Sequence, residues 1–184
     1  MIQPIYVYGS KVLRETAQPA DLSKKEEILT LVTDLKETLK ASEGCGLAAP
    51  QIGVSLRVAV VDGDEVSETY PELKGFHRTL INPVVLEESQ KLCTFSEGCL
   101  SVPGVYGDVV RPESMKIEYY DESFEKKTEV LSGFGCRMVQ HEMAHLDGEL
   151  FSDLLAPIRK KIVAKKLQKI SKGLVAASYK TKLK

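Results

Sequence analysis

Gln140-His141-Glu142-Met143-Ala144-His145 places two histidines four residues apart, with a glutamate directly after the first. On a helix that spacing points both imidazoles to one side, where they can hold a metal ion beside a carboxylate able to act as a general base. The flanking residues argue that the helix is buried. Phe134, Cys136, Met138, Val139, Met143, Ala144 and Leu146 wrap most of its circumference, as in a core helix. Ser132 stands where an N-cap belongs and Gly148 where a helix stops. Histidines on so apolar a helix need partners, because an unsatisfied buried polar group costs roughly 1–3 kcal/mol. A metal satisfies both at once.

A catalytic site of this kind takes three protein ligands and keeps one position for water or substrate. The metzincin pattern H-E-x-x-H-x-x-G-x-x-H fails here, since Gly148 fits but Phe151 stands in place of the last histidine. A thermolysin-like glutamate further along fails too, because no Asp, Glu, His or Cys follows Asp153. The third ligand therefore comes from upstream, or from the short stretch holding Asp147, Glu149 and Asp153. Cys136 lies five residues before His141, about 140° around a helix, and faces away. Cys93, in an apolar stretch, reads as a small buried hydrophobe, and His77 is an outsider. Cys45 and Cys99 both adjoin glycine, where the backbone can bend close to an ion. Residue chemistry alone leaves these two open.

Three segments resemble the three signature motifs of peptide deformylases, in the same order: Gly44-Cys45-Gly46-Leu47-Ala48-Ala49-Pro50-Gln51, Glu97-Gly98-Cys99-Leu100-Ser101 and Gln140-His141-Glu142-Met143-Ala144-His145-Leu146-Asp147-Gly148. The resemblance covers most of the chain and suits a bacterial-type enzyme. It implies that Cys99, His141 and His145 bind a divalent metal ion, ferrous iron natively, with zinc, nickel or cobalt possible in purified protein. It implies hydrolysis of the formyl group from N-formylmethionine at the start of new polypeptides, with release of formate. Glu142 would move the proton, from the attacking water to the leaving amine. The Gln51 side-chain amide and the Leu100 backbone N–H would stabilise the charge on the formyl oxygen, a role typically worth about 2.7–4 kcal/mol per donor. Gly46 would let the main chain pair with the substrate as with an added strand, Leu47-Ala48-Ala49 would leave room for the site, and Pro50 would fix the approach of Gln51.

Three positions depart from the family pattern. Ala144 stands where many relatives carry aspartate, so the metal helix must be supported by some other group. Arg137, four residues before His141, occupies a position often aliphatic and bordering the methionine pocket. It reads equally as a pocket-rim residue or as a solvated or paired surface arginine. Cys45 is an unusual but small and apolar filler between two glycines, also expected beside the substrate.

At 184 residues, 43% hydrophobic and 28% charged, the chain has the size and composition of one globular catalytic domain spanning 1–184. No run approaches a membrane span, and Met1-Ile2-Gln3-Pro4-Ile5 lacks the blocks of a signal peptide. Four scattered cysteines form no disulfide framework, and a thiolate ligand favours a reducing compartment, so a cytoplasmic location is expected. Ser23-Lys24-Lys25-Glu26 reads as a capping box before Ile28, Leu31, Val32, Leu35 and Leu39 at helical spacing. Leu56–Val61, Leu80–Leu86, Lys116–Tyr120 and Thr128–Leu131 read as strands, with turn signals at Asp62-Gly63-Asp64 and Tyr120-Asp121-Glu122-Ser123. The expectation is an α+β fold: mostly antiparallel sheets packed around a buried central helix, with a helix at the C-terminus.

Net charge is −1, but residues 158–184 carry +10 and the remainder −11. With Ile158, Ile162, Val163, Leu167, Ile170 and Leu174, that region is expected to be a basic amphipathic helix. It either docks on the body with a solvated basic face or also meets ribosomal RNA, whose phosphates attract it in a salt-dependent way. The expected partners are formylmethionyl nascent peptides and the ribosome, with no membrane and no DNA. Two other classes compete: a metal-dependent endopeptidase, and a non-enzymatic metal-holding or RNA-binding protein.

Overall fold

The computed structural model of the chain describes residues 1–184. Its centre is strand β3 (Val58–Asp62), which is buried on both faces because its side chains alternate between two helices. Val58 and Val60 pack against α1 (Lys25–Ala41), whose Ile28, Leu31, Val32, Leu35 and Leu39 form the apolar stripe expected from their spacing. Ala59 and Val61 face the other way, toward α2 (Gly133–Leu146), the helix that carries both histidines. Ala48 and Ala59 are both fully buried against Leu146, so the small side chains let α2 lie close to the sheet.

The sheet has five antiparallel strands in the order β2-β3-β4-β7-β8, with β2 (Gly46–Ala48) at one edge. The long β4 (His77–Glu88) crosses to β7 (Ser114–Tyr120) with two register shifts, and β8 (Lys126–Ser132) leads into α2. Asn82 lies beside the first shift at φ 52°, and its side chain exchanges two hydrogen bonds with the Ala20 backbone, tying the N-terminal arm to the sheet. A separate hairpin, β5 (Leu92–Gly98) and β6 (Tyr106–Pro112), carries Cys99 at its mouth. The short β1 (Ile5–Tyr6) pairs in parallel with β9 (Thr181–Lys182). No helix is long and apolar enough to cross a membrane.

The architecture is α+β with antiparallel sheets around α2, as expected, and the four expected strands are present with ends displaced by a few residues. Several local expectations are corrected. The capping box at Ser23 does not form: α1 begins at Lys25, and the Ser23 hydroxyl bonds Asp21 instead. Ser132 does precede α2, but its side chain makes no cap bond. Gly148 ends the last turn at φ 77° as expected.

The C-terminal region is not one helix. α3 spans Pro157–Ile170, and the chain then turns back to reach β9. Val163 and Ile170 are buried and Leu167 is half-buried, whereas Ile158, Ile162 and Leu174 lie 63–73% exposed, so the six apolar residues do not share one face.

Candidate metal centre and substrate cleft

Helix α2 brings His141 and His145 to one side with ring centroids 5.0 Å apart, and the hairpin mouth delivers Cys99 to meet them. The Cys99 Sγ lies 3.2 Å from His145 Nε2, and the ligand atoms of Cys99, His141 and His145 all fall within 4.8 Å of one another. Sulfur and nitrogen donors on one tetrahedral ion sit about 3.5 Å apart, so this triangle fits a single ion. Of the two cysteines left open by residue chemistry, Cys99 joins the histidines. Cys45 lines the adjoining cleft, its thiol pushed up to about 12 by burial and by the Glu142 carboxylate. Cys136 is fully buried in the core, on the side away from the site, as expected.

Cys93 is not the core hydrophobe expected. It is half-buried on β5, and its carbonyl accepts a hydrogen bond from Arg137 at 3.0 Å. His77 stands apart from the triangle. Its two ring nitrogens lie 3.2 Å from carboxylates of Asp62 and Asp64, forming a surface bridge that leaves no ring nitrogen directed elsewhere.

The orientation of the donors comes from groups around them. His141 Nδ1 is 2.8 Å from Glu97 Oε2, which turns its Nε2 toward the triangle. Glu97 is itself held by Arg111 through bonds of 2.9 and 3.1 Å, and by Arg137 at 3.2 Å. Burial works against the Glu97 charge, but His141 and Arg111 outweigh it and hold the carboxyl down to about 2. Glu97 thus supplies support of the kind missing at Ala144, which is buried without a charge. His145 is held well below its ordinary pKa, chiefly by burial, and so presents a neutral ring suited to metal ligation. Its Nδ1 is buried with no protein partner.

Glu142 follows His141 and is 3% exposed. Burial pushes its carboxyl up to about 7, against the pull of His141. Its Oε2 has no partner, and its Oε1 lies where a Cβ on Gly46 would have to go. Glycine at 46 therefore leaves room for Glu142 in this position. That adds to the reason expected from the sequence, close approach of the main chain, for which β2 does offer a free sheet edge.

Gln51 is 1% exposed and locked at both ends of its amide. Oε1 accepts the Ala48 N–H at 2.8 Å, while Nε2 points at Ser101 Oγ, 3.1 Å away, and at Cys99 Sγ, 3.6 Å away. The Leu100 N–H bonds no protein acceptor, so two donors border the triangle. Both stand on the rim of a cleft of about 490 Å³ that also reaches Cys45, Gly46, Phe134, Met138, His141 and Glu142.

Arg137 lines the same cleft but is only 2% exposed, so the reading as a surface arginine is corrected. It is paired, but in the interior: it bonds Glu97 and the Val109 and Cys93 carbonyls, with its guanidinium 5.0 Å from the Phe95 ring centroid. Sequence reasoning assigned no role to Glu97, Arg111 or Ser101. Glu97 had a signal, because it lies two residues before Cys99 and an extended segment puts both on one face. Arg111 had none, being brought in by the hairpin register that pairs it with Cys93.

Known proteins resemble this chain along most of its length. The family model for polypeptide deformylase matches residues 2–161. A peptide deformylase of Flavobacterium psychrophilum is 42% identical over 100% of this chain and 97% of its own, and one of Cytophaga hutchinsonii is 39% identical over 99% and 97%. Among solved structures, the peptide deformylase from Thermus thermophilus superposes with a TM-score of 0.82 at 36% identity, covering 94% of this chain and 99% of that one. The enzyme from Legionella pneumophila gives 0.81 at 33% identity, with 94% and 96% covered. With a match of this length and relatives this similar along their whole length, the chain belongs to the peptide deformylase family, metal-dependent enzymes that remove the N-formyl group from new polypeptides.

Proposed function

We propose that residues 1–184 act as one catalytic domain that hydrolyses the formyl group of N-formylmethionyl peptides and releases formate. The observation that carries this reading is the Cys99, His141 and His145 triangle with an unpartnered, buried Glu142 at its side. Those three residues would hold one divalent ion. When bound, such an ion supplies Lewis-acid polarisation and a water acidic enough to ionise near neutral pH. Iron(II) is our assignment for the native ion, with zinc, nickel or cobalt able to occupy the same sulfur and imidazole donors.

The chain's own groups do the rest. Glu142 accepts the proton of the attacking water and returns it to the departing amine, and its raised pKa suits both halves of that task. Gln51 Nε2, now directed at Ser101 Oγ and Cys99 Sγ, and the free Leu100 N–H would donate to the formyl oxygen as charge collects there. The free edge of β2 at Gly46 pairs with the peptide backbone. Cys45, Val66, Phe134 and Met138 give the inner end of the cleft an apolar lining suited to an unbranched thioether side chain, with Arg137 behind them.

The testing measurement is formate release from formyl-Met-Ala-Ser and loss of the acetyl group from its acetyl counterpart, with oxygen excluded and ferrous or nickel ion supplied. Formate from the formyl peptide alone is expected. Cleavage of internal peptide bonds would instead favour an endopeptidase, and no turnover by folded, metal-loaded protein would sink the assignment.

We also assign this enzyme to the cytoplasm, where thiols stay reduced and nascent chains emerge, and its α3 to contact with the ribosome. Lys160, Lys161, Lys165 and Lys169 are exposed on α3, whereas Arg159 and Lys166 are engaged with the Tyr106 and Gly104 carbonyls. Changing those four lysines to glutamine is expected to abolish co-sedimentation with ribosomes at low salt while leaving turnover of a free tripeptide intact. Unchanged co-sedimentation would refute the contact.

A further inference from the structure

After α3 the chain runs back along the cleft as a strap fastened at both ends. At the near end Ser171 packs against Gly9 so closely that a Cβ there would lie 2.8 Å from the serine Cβ. At the far end the Ile5 and Val7 N–H groups donate to the Lys180 and Lys182 carbonyls at 2.9 and 3.0 Å. Val175 and Leu183 pack into the apolar cluster beneath α3, and Tyr179 into the cluster of α1. Between these anchors, residues Ala176, Ala177, Ser178 and Tyr179 line the same cleft as Cys99, His141 and Glu142. The Tyr179 hydroxyl donates to the Leu100 carbonyl at 2.7 Å, which holds the peptide unit beside Cys99 from the strap side.

We propose that this strap is a wall of the substrate groove that contacts the residues following the formylated one. The inference rests on the deformylase reading and adds a recognition element to it. The formyl group has to lie at the metal triangle, beside Glu142, and the first side chain in the inner pocket. An extended peptide advances about 3.3 Å per residue, so its second and third residues must leave along the outer part of the cleft. The strap lines that cleft with three small uncharged residues and one tyrosine, a surface that admits an extended peptide without selecting its charge. Tyr179 acts as a positioning residue through Leu100, and Ala176, Ala177 and Ser178 form the contact surface.

The chain contains no tryptophan, which allows a direct test in the full-length enzyme. Ser178 is exposed, so Ser178→Trp places a sole indole on the wall without burdening the core. Formyl-Met-Ala-Ser-amide is expected to give a saturable change in its emission, and formyl-methioninamide none. The ratio of kcat/KM for the longer to the shorter substrate is expected to fall at least tenfold from wild type in Ala177→Trp, through KM. Tyr179→Phe is expected to lower kcat several-fold for both substrates while keeping that ratio. Emission indifferent to the tripeptide, or a wild-type ratio in Ala177→Trp, would overturn the strap as a wall. If wild-type enzyme released no formate from either substrate, the deformylase reading would fall, and the indole emission of Ser178→Trp would still decide whether the strap meets peptide.

Discussion

Glu142→Gln is expected to reduce formyl-peptide turnover by roughly 10²–10⁴-fold, the usual worth of a positioned general acid–base, and to leave the metal content of the protein unchanged. The carboxyl is buried, its pKa is raised to about 7, and its Oε2 has no partner in the protein, so a proton can come and go there without breaking an existing bond. Glutamine keeps the shape that Gly46 accommodates but cannot accept the proton. Cys99→Ala should do the reverse damage, because it removes one of three donors and the ion with it. The distinction is measurable as metal retained after dialysis, set beside the rise in Tm when metal is added back. A ligand present at a thousand times its Kd stabilises the folded state by about 4 kcal/mol, so the rise should persist in Glu142→Gln and vanish in Cys99→Ala. Loss of metal from Glu142→Gln would make the glutamate a ligand, and turnover within tenfold of wild type would move the base elsewhere.

The parts of this molecule legible from sequence are those whose signal is local. Helix α2 announces itself through seven apolar residues around two histidines, and α1 through a stripe at helical spacing that packs as expected on Val58 and Val60. The donor set could be narrowed to Cys45 or Cys99 by residue chemistry, but choosing between them took the motif resemblance. The β5–β6 hairpin escaped because it is only two strands wide and carries little apolar pattern. Thr94 and Ser96 alternate with Cys93 and Phe95, and the register, not hydrophobic burial, sets Arg111 opposite Cys93, from where its guanidinium reaches Glu97. The strap escaped for a related reason. The basic segment 158–184 reads as an amphipathic helix, and only pairing with β1, almost the whole chain away, makes Thr181–Lys182 a strand.

Arg137→Met is expected to cost roughly 1–3 kcal/mol of stability, the range for leaving buried acceptors without their donor. For a chain of this size that corresponds to a fall in Tm of roughly 2–12 °C. Methionine is close to arginine in length and volume, so the loss isolates the charge and its bonds. The guanidinium ties helix α2, on which it rides, to the β5–β6 hairpin through Glu97 and the Val109 and Cys93 carbonyls. Glu97 would keep Arg111 and His141, so its charge is not stranded, but the carbonyls lose a charged donor in a dry setting. Because the hairpin carries Cys99 and the helix carries both histidines, the same loosening should quicken metal loss to a chelator. Arg137→Lys should recover only part of both effects, since an ammonium cannot reproduce a fork that serves a carboxylate and two carbonyls. A Tm within about 2 °C of wild type in Arg137→Met would show that Arg111 alone secures Glu97. A large fall in Tm with unchanged metal release would show that the clamp stabilises the fold without tuning the donor triangle.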